Sequence, residues 1–478
     1  MADFPQAPEL PDQPPLRWYT PDPAVLKLGD AFYDPVAAAD FPQTILRFRN
    51  DRAAAEVGLD PLTDEQWIAH FGRFAPLPGN LPQPLAMRYH GHQFRVYNPD
   101  LGDGRGFTFA QMRSHDRFDL MELGTKGSGQ TPWSRFGDGR LTLKGGVREL
   151  LATEMLEALG VRTSRSFSLI ETGEALERND EPSPTRSAVL VRMSLGQIRI
   201  GTFQRLAYHG DTENMRRLVD WCLDEMIGVE KDEDPVAQFF GLVVARVASL
   251  AASYMVAGFV HGVLNTDNIN VMGESFDYGP WRFAPTFDPG FTAAYFDHAG
   301  LYAFGRQPDA ILWNVAQLAV SLRVISEAPP LIAKLEEFET YYRLFYQDPL
   351  QRRLGVLTRD RKSDTELGWR LKEAVERALM ATGHGIDRFF FDAYGGTLPD
   401  SYGAEWDAVR GVLAEYEPIP QGRSHPYFAG GEPCSMLIDE VETIWAAIDR
   451  DDDWRPFHAK VAAIRQMGEA LDAGGRYW

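Results

Sequence analysis

The run His261-Gly262-Val263-Leu264-Asn265-Thr266-Asp267-Asn268, followed by Asp277-Tyr278-Gly279, decides how this 478-residue chain is read. An amide oxygen at Asn268 and a carboxylate at Asp277 are hard oxygen donors. Octahedral Mg²⁺ takes such donors alongside phosphate oxygens and waters. Asp267, adjacent to Asn268, is placed to act as a base or to reach the same ion through water. The competing reading is an Asx-rich turn after a helix, where Asp and Asn are ordinary. The residues upstream favour the first reading.

Leu101-Gly102-Asp103-Gly104-Arg105-Gly106 stands just before a strand expected over Phe107–Met112. Alternate glycines let the backbone approach an anion closely and offer N–H groups to phosphate, although a tight hairpin turn uses them as well. A second strand, Asp119–Lys126, delivers Lys126. A helix expected from about Lys144 to Leu159, stopped by Gly160, supplies Glu149 as a partner for that ammonium. The apolar stripe of this helix does not fix which way Glu149 points. A glycine loop, a strand lysine, a helix glutamate and then a loop ending in Asn is the order in which protein kinases hold ATP. Set on the kinase loop H-R-D-x-x-x-x-N, His261 and Asn268 fall in place and Asp277-Tyr278-Gly279 stands for D-F-G. The catalytic aspartate's position is then Val263, whose isopropyl group accepts no proton. The metal donors are kept while the usual base is lost, and Asp267 is the candidate displaced base.

Arg192 and Arg199, seven residues apart, are expected at a strand end and its continuation, and a guanidinium fork matches phosphate. From Lys126 to Arg205 there are 12 Lys+Arg against 9 Asp+Glu, so this region is locally positive in an acidic chain. The whole carries 48 Lys+Arg against 68 Asp+Glu, a net charge of −20, which argues against nucleic acid and anionic membranes as partners. Two cysteines, Cys222 and Cys434, make neither a disulfide framework nor a Cys-rich zinc site. The first residues lack a signal-peptide pattern, and the expected location is cytoplasmic. The apolar stretch Phe239–Val260 is interrupted by Arg246, Ser249 and Ser253 and reads as a buried helix.

Residues 1–17 are Pro-rich and read as an extended arm, and about Asp40 to Gly58 as a short helical region. Ser166–Glu171 and Ala188–Met193 read as strands around a polar loop, Gly173–Ser187. Asp234-Pro235 opens a long helix that ends near Gly258. From Trp313 onward helical periodicity alternates with polar loops, and Asp451–Asp453 reads as a solvated helix end. The expected organisation is an arm and preamble over 1–85 and a strand-rich nucleotide-binding lobe over 86–204. A helical lobe with the catalytic loop follows over 205–400, then a helical extension over 401–478. The fold class is α+β, an atypical protein-kinase-like bilobal fold.

Taken together, the chain resembles the selenoprotein O / YdiU family of protein adenylyltransferases. The resemblance is carried by Tyr89-His90-Gly91-His92-Gln93-Phe94, Leu101–Arg105, Lys126–Arg135, Asp138-Gly139-Arg140 and Arg148-Glu149. It continues through the 261–268 loop, Asp277–Pro280, Phe287–Phe291, Phe304–Pro308 and Trp313-Asn314. It implies a kinase-like fold that binds ATP inverted, transfers AMP to protein Ser, Thr or Tyr hydroxyls and releases pyrophosphate. It further implies Asp267 as general base, and Asn268 and Asp277 as ligands of Mg²⁺, with Mn²⁺ as a substitute. Gly102, Gly104, Arg105, Lys126, Asp138, Gly139, Arg192, Arg199 and Asp277 would contact the nucleotide, with Glu149 paired to Lys126. The implied partners are ATP and proteins bearing acceptor hydroxyls. Three other readings compete: a phosphotransferase using Asp267, an inactive ATP-binding regulator, and, more remotely, a zinc hydrolase built on His90 and His92.

Overall fold

Two long antiparallel strands, Arg165–Leu176 and Thr185–Ser194, form the spine of the sheet in this computed structural model. The structure describes residues 16–135, 139–178, 182–359, 364–420 and 422–472. Most of the Pro-rich arm therefore lies outside the described residues, as does Asp138. The sheet runs in the order Tyr33–Pro35, Leu85–Met87, Thr108–Arg113, Leu120–Lys126, Thr185–Ser194, Arg165–Leu176, Ile45–Arg49. Each of these pairs is antiparallel. Its central strands are covered on both faces. On one side Met121, Leu123, Val189 and Val191 pack with Trp67 and Phe71 of the helix Asp64–Phe71. On the other, Leu169 and Leu190 join Leu143, Val147 and Leu151 of the helix Leu143–Ala158. This double coverage explains why the central strands read as near-continuous apolar runs.

The four expected strands are present. Those at Arg165–Leu176 and Thr185–Ser194 are longer than the sequence suggested and absorb much of the supposed loop. The helical reading of Asp40–Gly58 is corrected. Ile45–Arg49 is an edge strand against Arg165–Leu176, and only Asp51–Glu56 is helical. Asn50 makes the break: its Oδ1 caps the helix by accepting from Ala53 N at 3.4 Å, while its Nδ2 donates to Ser166 O at 2.9 Å. An Asn at this position favours a helix start over helix continuation.

After the sheet the chain is mainly helical. Asp234 Oδ1 accepts from Ala237 N at 3.1 Å and Pro235 occupies the first turn of the helix Pro235–Ala257, which Gly258 closes at φ 69°. This helix is long and apolar enough to cross a membrane, but it packs inside the protein against the helices Phe338–Leu354 and Gln307–Leu322. Asp451–Asp453 ends the helix Ile438–Asp451, where Asp452 accepts from Arg186 at 2.7 Å. The last helix, Arg455–Leu471, lies on Leu143–Ala158: Arg465 grips buried Glu154 with two bonds of 2.8 and 2.6 Å, and Gly468 abuts Ala158. Lys144 at the start of the same helix donates to Glu442 at 2.7 Å. The class is α+β, a strand-rich lobe followed by a helical lobe in protein-kinase order.

Candidate active site

Antiparallel register places Lys126 opposite Leu190 and Gly124 opposite Arg192, so Lys126 and Arg192 project from one face of the sheet. Lys126 Nζ donates to Glu149 Oε2 at 2.5 Å, and Glu149 Oε1 lies 3.5 Å from Arg192 Nη1. Glu149 is buried, so its helix turns this residue inward toward the lysine. Opposite Arg192, a side chain at Gly124 would strike Gln197 Nε2 at 1.8 Å; the amide of Gln197 occupies the space that glycine leaves.

Arg199 is one of the largest fully buried side chains. Its guanidinium lies between the rings of Tyr89 and Phe276, at 4.2 and 4.9 Å from their centroids. Its Nη1 donates to Asp267 O and to Asp277 Oδ2, both at 3.2 Å, and its Nη2 lies 3.5 Å from Asp103 Oδ1. Arg192 Nη1 takes the other oxygen of Asp277 at 2.5 Å. Burial alone would raise the Asp277 pKa. Arg192, Arg199 and Lys126 outweigh it and hold this carboxyl well below the usual carboxylate range.

The 261–268 loop closes from the opposite side. His261 Nε2 bonds Phe276 O at 3.0 Å, tying the loop to the segment that carries Asp277. Thr266–Asn268 make a single helical turn, and Asn268 Nδ2 donates to Val263 O at 2.9 Å. Asp267 is buried, and its Oδ1 has no hydrogen-bond partner among the described residues. Burial pushes its pKa up to about 6 against the opposing pull of Arg199.

Gly102, Gly104, Arg105, Lys126, Arg192, Arg199, Asp267, Asn268 and Asp277 all line one cleft of ≈ 250 Å³, and Val263 lines it too. The glycine loop serves close packing as well as any ligand. A β-carbon at Gly102 would enter the Trp133 ring at 2.3 Å, and one at Gly106 would meet Thr125 O at 1.9 Å. Gly139, at φ 87°, packs on Gln130 and does not line this cleft; Asp138 is outside the described residues. A wider depression of ≈ 600 Å³ beside Arg140 and Arg178 holds none of these groups.

Asn268 and Asp277 fit a hard divalent cation on their chemistry. One is an ionised carboxylate, and the other is an amide whose nitrogen is spent on Val263, leaving its oxygen as the remaining acceptor. One nitrogen of each imidazole is engaged, His90 Nδ1 with Tyr97 Oη at 2.8 Å and His92 Nδ1 with Gln204 at 2.7 Å. Among the described residues no cluster of three or more His, Cys, Asp or Glu is arranged to hold a metal, so none supplies a third ligand beside His90 and His92.

Sequence reasoning passed over several residues. Asp103 sits between the two glycines and braces Met87 N at 3.0 Å as well as Arg199; its place inside the glycine loop was the available signal. Glu274 had no signal. It is buried, accepts from Leu195 N at 3.0 Å, and burial pushes its pKa up to about 7 against Leu195 N–H and Arg165. A carboxyl raised in the folded state gives stability that is complete below its unfolded pKa and is lost as pH rises through about 7. Glu274→Gln keeps an acceptor for Leu195 but does not titrate. Between pH 5, half a unit above the ordinary value of 4.5, and pH 8, about one unit above the folded value, the parent is expected to lose about 2–3 kcal/mol relative to this variant, read from denaturant unfolding at both pH values. A constant difference between the two chains would contradict it.

Comparison with known proteins shows the family. A family model described as Protein adenylyltransferase SelO matches residues 17–407, beginning well before the first of the motifs at residue 89. The "Protein nucleotidyltransferase YdiU" of Synechocystis sp. is 44% identical over 471 residues, covering 93% of this chain and 98% of that protein. The protein of the same name from Gloeobacter violaceus is 45% identical over 480 residues, covering 95% and 96%. Among solved structures, a Toxoplasma gondii specific rhoptry antigen kinase domain aligns with 56% of this chain and 79% of its own at 15% identity and a TM-score of 0.27, too slight a likeness to carry an argument. A match over this length, at this identity and with almost the whole of each relative covered, means that the chain belongs to the protein adenylyltransferase SelO family.

Proposed function

We propose that this protein transfers AMP from ATP to hydroxyl groups of protein Ser, Thr or Tyr side chains and releases pyrophosphate. The observation that carries the chemistry is the Asp267 carboxylate, buried at the cleft with an Oδ1 that no described residue bonds, in a cleft lined by a valine where a kinase carries its base. The acceptor oxygen attacks the α-phosphorus, a new P–O bond forms, and the α–β bridging P–O bond breaks with pyrophosphate carrying away the electron pair. The hydroxyl proton goes to Asp267. A pKa of about 6 leaves this carboxylate mostly ionised at neutral pH yet more basic than an ordinary Asp, which suits a general base.

Lys126, held by Glu149, and the guanidinium of Arg192 supply fixed positive charge along the cleft, where a polyphosphate needs it. Asn268 and Asp277 would hold Mg²⁺, whose contribution is to neutralise charge on phosphate oxygens. Arg199 orders the site from behind: it fixes Asp277 through a side-chain oxygen and the catalytic loop through Asp267 O.

ATP labelled on either the α- or the γ-phosphate, incubated with the protein, Mg²⁺ and a cell extract, tests this directly. Label is expected on protein from the α position alone. Transfer from the γ position alone would make this a phosphotransferase with a relocated base. No transfer despite ATP binding would leave a nucleotide-binding regulator.

A further inference from the structure

Behind Asp267, away from the cleft, three residues close a hydrogen-bonded ring. His92 N donates to Thr266 Oγ1 at 2.6 Å, Thr266 Oγ1 donates to Gln204 Oε1 at 2.6 Å, and Gln204 Nε2 donates to His92 Nδ1 at 2.7 Å. The order of donors is self-consistent. The Gln204 carbonyl oxygen can only accept, so the Thr266 hydroxyl proton turns to it while the hydroxyl oxygen accepts from the backbone N–H of His92. The Gln204 NH₂ then faces an imidazole nitrogen carrying a lone pair. Burial holds His92 toward that neutral form.

The ring joins three segments remote in sequence: the strand Gly91–Gln93, the helix Ile200–Tyr208 and the catalytic loop. Thr266 and Gln204 are buried, so breaking one link strands a polar atom without water. The same loop is held again at Asn265, whose Oδ1 accepts from Phe94 N at 3.0 Å and Tyr302 Oη at 2.7 Å. Gly91 lies directly on the carboxylate: a β-carbon there would stand 3.0 Å from Asp267 Oδ1 and 3.1 Å from its Cβ. Asp267 Oδ1 makes no hydrogen bond among the described residues. Its direction is therefore set by the backbone of its turn and by the Gly91 contact, and the ring fixes both.

We propose that Thr266, Gln204 and His92 are positioning residues for the Asp267 carboxylate, a role that rests on Asp267 being the base. The test uses the full chain carrying Thr266→Val, Gln204→Met or both, assayed with α-labelled ATP beside Asp267→Ala. Either single change is expected to lower kcat by about 10- to 100-fold, the scale of loss for a group displaced by about 1 Å. The KM for ATP and equilibrium ATP affinity stay within about twofold of the parent. The double variant loses little more than one single, because the ring is already open. Thr266→Ser, which restores the hydroxyl, recovers most of the rate.

A folded Thr266→Val with kcat within about threefold of the parent overturns the proposal, as does an equal loss in ATP affinity, the mark of a generally loosened fold. If Thr266→Val does not fold, Gln204→Met decides by the same criteria, and a Thr266→Ser rate as low as that of Gln204→Met also overturns the proposal. An inactive Asp267→Ala beside a fully active Thr266→Val refutes the ring alone. An active Asp267→Ala refutes the base itself and the ring's role with it.

Discussion

Asp267→Ala is expected to lower AMP transfer by about 10²–10⁴ while ATP still binds. The separation follows from how Asp267 is held. Its carboxylate Oδ1 bonds no described residue, and Arg199 grips its backbone oxygen, which alanine keeps. Among the described residues, the bonds that position Lys126, Arg192 and Asp277 do not pass through the lost carboxylate. Removing a negative charge from a cleft that receives a polyanion also leaves nucleotide affinity equal or stronger. The check is label incorporation from α-labelled ATP at saturating nucleotide, paired with equilibrium ATP binding. Parent-level transfer by a folded Asp267→Ala would move the base elsewhere, and a matching loss of ATP binding would recast Asp267 as a nucleotide ligand.

The second large effect is expected at Asp277, where asparagine is the informative replacement. Asp277 sits at φ 58°, a left-handed conformation that Asn tolerates, so Asp277→Asn removes the charge without adding backbone strain. In the parent, both carboxylate oxygens are engaged, one by each arginine. On the proposed function, a cation at Asp277 and a phosphate at Arg192 would share one charge cluster, and each arrival would ease the other. In Asp277→Asn the arginines face a neutral amide. Nucleotide affinity without metal is expected to hold or rise, its strengthening by Mg²⁺ to vanish, and transfer to fall at least as far as in Asp267→Ala. Titrating ATP with and without Mg²⁺ measures this. An unchanged Mg²⁺ dependence would place the cation on other residues.

What could be read from the chain followed sequence locality. His261, Asn268 and Asp277 lie on one short string, so their spacing alone carried the kinase ruler and exposed Val263 as the missing acid. Lys126 and Glu149 were legible as an order of elements, but the direction of Glu149 was not: its helix is buried on most of its surface, leaving no polar face to read. Ile45–Arg49 was mistaken for helix because its strand partner lies some 120 residues later and alanines follow it closely. The packing roles of Gly102 and Gly106 were equally hidden, since Trp133 and Thr125 come from other segments. His92, Gln204 and Thr266 meet across 174 positions of sequence, and no local pattern signals such a ring.

The helix that carries Glu149 is held on its outer side by Arg465 and Glu442 while its inner side lies on the sheet. In protein kinases the corresponding helix moves, and its position controls whether the Lys–Glu pair forms. Here a swing would strip buried Glu154 of both its bonds to Arg465 and pull Gly468 off Ala158. The formed Lys126–Glu149 pair is thus coupled to contacts on the far side of its helix: moving that helix out costs a buried carboxylate its ion pair as well as the lysine its partner.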